Sequence, residues 1–527
     1  MNQHTGYKIK VGPESGISLQ EAIGIINGFI SVDSIDPQHR AYVVESSESR
    51  SVIDVESRAD IPFGDAPLPL LNPVEIIGNG AIFWGSWNLG LLMMASNSVI
   101  RDVTMERFST AIMVNAHGAA IENITISNCR FRKFTGCCIR TGSDLSDGCI
   151  KKVSIIGCTL EGSPEQEVDG ISDWFGAPVG IMLLAGCGPD NAEVRNCSVE
   201  QILIQDCIFR GRHRNSINTI PAAFASNGTD EVIHYSHDCR IKDLMIKNCS
   251  FANAYDATIN IMGSYMHNIG SLTENIEICD CYLEYNIWGI YFCATEPCQG
   301  TVDGAVVRNI NVHHNELRLR EGGSGEDSAA LAIQCGRLDY ADGAKANNGL
   351  IENVKFNDNL IWHTQHGIFL NAADSMVDGL DTEMIGNTIR NVEICRNQLH
   401  NVDDCFTFYG AQLEGRRIDV RIGIPPRTMT WLPLLDDHSV TTCTARDNMI
   451  QNVVCRGNYC TGYKFKYKIA GTKAGGHAYA ENNCVAEDLV MEDNTFENGE
   501  GHILVENQVV YDWVQSHNCS VPKQYRR

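Results

Sequence analysis

One phrase recurs along this chain: an apolar residue, two others, apolar, any, apolar, two others, Asn or Cys, any, apolar. Its cleanest copy is Ile121-Glu-Asn-Ile124-Thr-Ile126-Ser-Asn-Cys129-Arg-Phe131. Further copies start at Ile150, Val199, Ile241, Val307, Ile351, Ile389 and Ile450, with degenerate ones at Ile100, Thr273 and Ala486. The alternating pair, such as Ile124 and Ile126, has the period of two expected of a strand. The Asn or Cys then falls at a fixed turn: Cys129, Cys158, Cys207, Cys249 and Cys281, and later Asn315, Asn359, Asn397, Asn458 and Asn494. A second short apolar strand follows most turns, as in Gly289-Ile-Tyr-Phe292 and Gly367-Ile-Phe-Leu370.

A unit of short strands and irregular turns cannot bury its apolar face alone, whereas stacked units share a continuous core. The unequal spacing of the copies excludes a propeller, whose blades need similar sizes. It suits a parallel β-solenoid, in which extra residues leave as loops. Such stacking puts equivalent residues of successive units about 4.8 Å apart. A turn amide can then satisfy buried backbone groups of the next coil, and a small buried thiol can fill the same slot. The 22 cysteines include no CxxC pair, so they are expected to be mostly free buried thiols.

Two further segments carry a resemblance. Ile17-Ser-Leu-Gln-Glu-Ala-Ile23 with Asn27, and Pro73-Val-Glu-Ile-Ile-Gly-Asn-Gly-Ala-Ile82, resemble the amphipathic entry segment and first coils of the pectin-lyase-like superfamily. The resemblance spans roughly residues 17–507. It implies an all-β chain: a single-stranded right-handed parallel β-helix of about 11 or more coils with a short N-terminal capping helix. The expected organisation is a cap and first coils over 1–98, the β-helix over 99–507 with loop insertions at 161–178 and 410–445, and a tail over 508–527. That superfamily hosts lyases, hydrolases, epimerases, transferases and non-enzymatic adhesins, so fold alone does not assign activity.

Counting from the turn residue transfers register between coils. Position seven is Trp288, His366 and Asp404; position ten is Tyr291, Phe369 and Thr407. In Tyr463-Lys-Phe-Lys-Tyr-Lys468 the aromatics are expected inward and the lysines outward. These offsets predict an outer patch with catalytic candidates His366, Asp403, Asp404, Lys466 and Tyr291, walled by Trp288 and Phe369. A His beside a carboxylate can titrate near neutrality and move protons. Arg210, Arg212 and Arg214 form the densest cationic stretch and are candidates for gripping an anionic substrate group. Trp174 and Trp431 in the two long insertions are candidates for stacking on sugar rings. No metal-ligand spacing is present and no cofactor is expected. Glu165, Glu167, Asp169 and Asp173 are the groups that would take Ca2+ through oxygen ligands.

The formal charge of −24 excludes a general nucleic-acid or other polyanion binder. No apolar run reaches the roughly 18 residues that crossing a bilayer demands. The first thirty residues lack a basic start followed by an apolar stretch, so a cytoplasmic location is expected for the chain as written, and a secreted one if a leader has been trimmed. Asp169 and Asp404 mimic parts of the polygalacturonase motifs but fall six turns, near 29 Å, apart. Carboxylates acting on one glycosidic bond lie within about 10 Å.

The resulting expectation is an enzyme acting on an oligo- or polysaccharide by lyase or uronate-epimerase acid/base chemistry. The alternatives are a glycoside hydrolase or glycosyl transferase using paired carboxylates, and a non-catalytic adhesin, tailspike or scaffold. A carbohydrate partner is expected, no nucleic acid and no membrane, and a homo-oligomer is left open.

Overall fold

A computed structural model describes residues 6–162, 178–186, 193–222, 236–254, 256–265, 268–297, 301–321, 328–338, 343–377, 382–416, 443–474, 478–485 and 488–505. The chain folds as a right-handed parallel β-helix. Each full coil carries four strands. In one coil these are Leu272–Cys279, Tyr282–Tyr285, Trp288–Glu296 and Thr301–Asp303. The first three positions stack into three faces of one 36-stranded sheet, and the fourth into a separate eight-stranded sheet. Among the described strands every pairing is parallel except that of Gly6–Val11 with Val43–Ser46.

The repeat phrase has a backbone cause. Ile121, Ile124 and Ile126 are all buried, yet simple alternation would put Ile121 and Ile124 on opposite faces. Asn123 resolves the conflict by adopting φ 60°, in the left-handed region, which turns the strand so that both isoleucines face the core. Asn275, Asn309, Asn353, Asn391 and Asn452 do the same in later coils, with φ between 52° and 59°. Asn tolerates this conformation better than most residues. These amides also form an outer ladder: Asn309 donates to Asn275 Oδ1 at 3.0 Å and Asn353 to Asn309 at 3.0 Å.

The register aligns Ile121, Ile150, Val199, Ile241, Thr273, Val307, Ile351, Ile389 and Ile450 in one column. Two of the degenerate copies are out of phase. Ile100 pairs with Ile126, two inward positions later in the phrase, and the last coil contributes Val485 opposite Ile450 where Ala486 was expected. In both, apolar residues at neighbouring spacings imitate the phrase.

The turn residues stack inside. The Asn359 backbone N–H donates to Asn397 Oδ1 at 3.0 Å, and its side-chain Nδ2 donates to that oxygen at 3.1 Å and to the Val312 carbonyl at 2.9 Å. Asn315, Asn397 and Asn458 repeat the pattern. In the N-terminal half, the Cys129, Cys158, Cys207, Cys249 and Cys281 thiols donate weakly to a carbonyl one coil earlier, at 3.5–3.9 Å. All five are free. The two halves join where the Cys281 N–H donates to Asn315 Oδ1 at 3.0 Å.

A second internal ladder lies at the corner entering the first sheet. Asn387 donates to Asn448 Oδ1, and Asn448 to Asn483 Oδ1; Cys197 and Cys239 occupy the same corner in earlier coils, both fully buried. Its sequence signal is an Asn or Cys ten residues before the turn residue, as Cys197 precedes Cys207 and Asn387 precedes Asn397.

The N-terminal end is closed by a helix, Leu19–Ile26, begun by a Ser18/Glu21 capping box that satisfies its free N–H groups. Leu19, Ala22, Ile23 and Ile26 bury against the first coils. Asn27 ends the helix and locks it down, donating to the Pro69 carbonyl at 2.7 Å and accepting from the Leu71 N–H at 3.1 Å. The expected tail, 508–527, lies outside the described residues.

Candidate active site

The third face of the solenoid carries the column Trp288, Ala329, His366, Asp404, Phe465 and His502, one residue per coil. Beside it runs Tyr291, Ala332, Phe369, Thr407, Lys468 and Leu504. Counting from the turn residue thus places Trp288, His366 and Asp404 on one line and Tyr291 with Phe369 on the next. Asp403 and Asp404 both face outward because a corner intervenes: Val402 before them and Cys405 after them are both in the core.

His366 and Asp404 meet directly. His366 Nδ1 lies 3.0 Å from Asp404 Oδ2 and 3.1 Å from Thr407 Oγ1. The carboxylate accepts only, so Nδ1 carries the proton in the neutral ring. This leaves Nε2 as a lone-pair acceptor with no hydrogen-bond partner among the described residues. The imidazole stacks on Phe369, with centroids 5.1 Å apart, which fixes the ring plane. Lys468 Nζ donates to the same Asp404 oxygen at 2.7 Å and lies 4.5 Å over the Phe465 ring. Burial disfavours an ionised Asp404, but the His366 hydrogen bond and the Lys468 charge outweigh it and hold the carboxyl below its ordinary value.

Several expectations are corrected here. Lys468, not Lys466, serves the dyad; Lys466 Nζ lies over the Phe496 ring. Phe465 does not turn inward but takes the outer position opposite Asp404, since the strand's inward alternation begins at Tyr467, which stacks on core Phe406. The dyad is not a surface feature: His366 is 9% and Asp404 1% exposed. Asp403 pairs with Lys464 at 2.9 Å and stays half-exposed.

Tyr291 is two coils from His366 and its hydroxyl is committed elsewhere. It donates to Gln334 Oε1 at 2.9 Å; Gln334 donates to Asp374 at 2.7 Å, and Asn371 donates to the other Asp374 oxygen at 3.2 Å. Burial pushes the phenol well above its usual range. Trp288 stacks on Tyr291 at 4.3 Å and receives the Arg337 guanidinium 4.4 Å over its ring. Trp288, Tyr291, Phe369 and Tyr409 belong to a buried apolar cluster on the outward side of the sheet. They are therefore not an open sugar-stacking wall.

The cationic stretch does not act as one cluster. Arg210 pairs with Glu161, which also binds Arg130. Arg214 lies 3.8 Å from Asp256, and Arg212 is partly exposed. His213 turns into the core, stacked on Phe134 at 5.8 Å. The stretch straddles a corner, so consecutive side chains leave in different directions. Trp174, Trp431 and the carboxylates at 165, 167, 169 and 173 lie outside the described residues. Elsewhere, a groove of about 1000 Å³ follows the first sheet past Asn353, Lys355, Arg396 and Arg456; Arg396 there pairs with Asp358 and Arg456 with Glu492.

Sequence reasoning missed Thr407 as a contact of His366 and the Gln334–Asp374 relay. Thr407 carried a signal, since it occupies position ten in the coil of Asp404.

No protein-family model matches the chain, and no curated protein matches it. Among solved structures, the A-module of Azotobacter vinelandii mannuronan C-5 epimerase AlgE4 aligns at 10% identity and TM-score 0.18, covering 87% of this chain and 91% of that one. The AlgE6 A-module aligns at 13% and 0.20, covering 85% and 91%. Scores this low carry no argument about chemistry.

Proposed function

We propose that this protein is a carbohydrate-active β-helix enzyme whose His366–Asp404–Lys468 group removes the C5 proton of a uronic acid. The observation that carries the reading is the double contact at Asp404 Oδ2, from His366 Nδ1 at 3.0 Å and Lys468 Nζ at 2.7 Å. That contact orients the imidazole, and its Nε2 takes the proton. The imidazolium so formed is stabilised by the ionised carboxylate. Return of a proton from solvent to the opposite face of C5 gives the epimer; expulsion of the C4 oxygen, protonated by solvent, gives an unsaturated uronate. Hydrolysis by two acids is the weaker reading, because one partner must stay protonated as general acid. Asp404 is held ionised and Asp403 is paired with Lys464.

The enclosure of the dyad favours a second reading, a non-catalytic β-helix in which His366, Asp404 and Lys468 are a structural ion network. One experiment separates the two. The protein is incubated with a panel of uronate-containing polysaccharides in D2O. Ultraviolet absorbance reports unsaturated uronates, NMR reports deuterium at C5, and reducing ends report hydrolysis. C5 exchange or unsaturation lost in both His366→Ala and Asp404→Asn supports the proposal. No turnover on any polymer, or turnover kept by both variants, overturns it.

A further inference from the structure

Two outward positions on strand Leu272–Cys279 and one on the next coil bring together a carboxylate, a thiol and an imidazole. Ile276 and Ile278 point into the core, so Glu277 and Cys279, alternating with them, point out. Cys279 is outside the internal thiol ladder, which takes Cys281. The parallel register sets His313 directly opposite Cys279. One ligand atom from each of Glu277, Cys279 and His313 lies within 4.8 Å of the other two. His313 Nε2 and Glu277 Oε1 are already 3.1 Å apart.

We propose that Glu277, Cys279 and His313 bind a borderline divalent cation of the Zn2+ class. The donor set argues for that class: one thiolate, one imidazole and one carboxylate suit zinc, whereas Ca2+ and Mg2+ require all-oxygen shells. Donor atoms bound to one tetrahedral zinc at about 2.0–2.3 Å end some 3–4 Å apart, so rotamer adjustments suffice to close the set. A third observation supplies the outer support. His313 Nδ1 lies 2.8 Å from His314 Nδ1, with the two rings nearly perpendicular at 87°. Zinc ligation at Nε2 requires the proton on Nδ1, and the His314 lone pair accepts it; ligating histidines habitually donate their second nitrogen this way. In the metal-free chain His313 Nε2 lies beside Glu277 Oε1; on ligation the ring keeps its single proton on Nδ1 and the Cys279 thiol proton leaves to solvent.

His313 and Glu277 side chains are 21% and 40% exposed, which leaves an entry path and room for solvent as a fourth ligand. The ligands come from successive coils, so the ion would tie two rungs together across the outer face. The site lies on the first sheet, and the His366 dyad on the third; neither depends on the other.

The test uses the full chain, treated with chelator and titrated with Co2+ as a spectroscopic probe. The expected result is one equivalent bound, with a thiolate-to-cobalt charge-transfer band and tetrahedral visible bands, displaced by Zn2+. Cys279→Ser should abolish the charge-transfer band, and His313→Gln and Glu277→Gln should each weaken binding at least tenfold. Cys395→Ser, a thiol in the same outward column three coils after Cys279, should bind as wild type does. Should Cys279→Ser fail to fold by circular dichroism, the two surface variants decide the matter. No saturable binding, or a charge-transfer band surviving in Cys279→Ser or unaffected by His313→Gln, overturns the assignment.

Discussion

Lys468 reaches Asp404 diagonally: Asp404 pairs with Phe465 and Lys468 with Thr407, yet the ammonium crosses the Phe465 ring to sit 2.7 Å from Asp404 Oδ2. That crossing seals one carboxylate oxygen between a cation and an imidazole on neighbouring rungs.

His366→Ala and Asp404→Asn should each lower turnover about 10²–10⁴-fold if the dyad transfers protons. Both are enclosed, so stability changes as well. Removing the Asp404 carboxylate entirely, as Ala, should cost about 2–3 kcal/mol. This is less than the roughly 3–5 of a fully enclosed pair, because Lys468 keeps some solvent contact. Chemical denaturation of each variant, run beside the kinetic assay, separates the two effects. Full activity in both variants moves the chemistry elsewhere.

Asn397→Ala should destabilise the solenoid by about 2–4 kcal/mol. It strips a buried acceptor from the Asn359 N–H and a donor from the Phe356 carbonyl, and each orphaned buried group costs about 1–3 kcal/mol. Asn397→Cys should lose less than Ala, because a thiol fills the same slot in five earlier coils. Denaturant midpoints that put Cys and Ala level would remove the idea that the two residue types are interchangeable there.

His213 should make the fold acid-sensitive. Burial lowers its pKa to about 3, against about 6.5 in an unfolded chain. Below 6.5 the unfolded state takes a proton that the folded state refuses, so stability falls with pH from about 6.5 down to about 3. Both ring nitrogens lack a hydrogen-bond partner, so His213→Phe costs no hydrogen bond. The Phe variant should gain on the wild type by several kcal/mol at pH 4 and show little difference at pH 8. Asp404, whose carboxyl is depressed, adds acid sensitivity only below about pH 4. Parallel stability profiles for His213→Phe and wild type across this range would refute the assignment.

Titration of the denatured, unreduced protein with a thiol reagent should recover nearly all 22 cysteines. Eighteen of the described ones are free, and sixteen of these are buried. Recovery of only a few would mean that the stacked thiols pair in solution.

The columns of this fold were legible because its period is local: a turn residue and a count of seven reach Trp288, His366 and Asp404 in three different coils, and a count of ten reaches Tyr291, Phe369 and Thr407. Side-chain direction was less legible. Lys466 and Lys468 look alike in sequence, and only the corner near Asp404 decides which one faces the carboxylate. Burial on the outer face was not legible at all. Trp288 and Phe369 read as exposed walls, and Tyr291 as an exposed catalytic group, because alternation reports inside and outside of the sheet, not what packs over it. His213 escaped for the same reason: within an Arg-rich run it looks like surface, and one corner turns it inward.

The internal amides give this solenoid a direction. From Cys281 to Asn458, each turn residue offers its backbone N–H to a side-chain oxygen that arrives only with the following coil. Each coil of this half is therefore completed only by the coil that follows it. A chain cut at any coil boundary in this half would leave one buried backbone donor without its acceptor, so a truncation here should cost stability beyond the coils it removes.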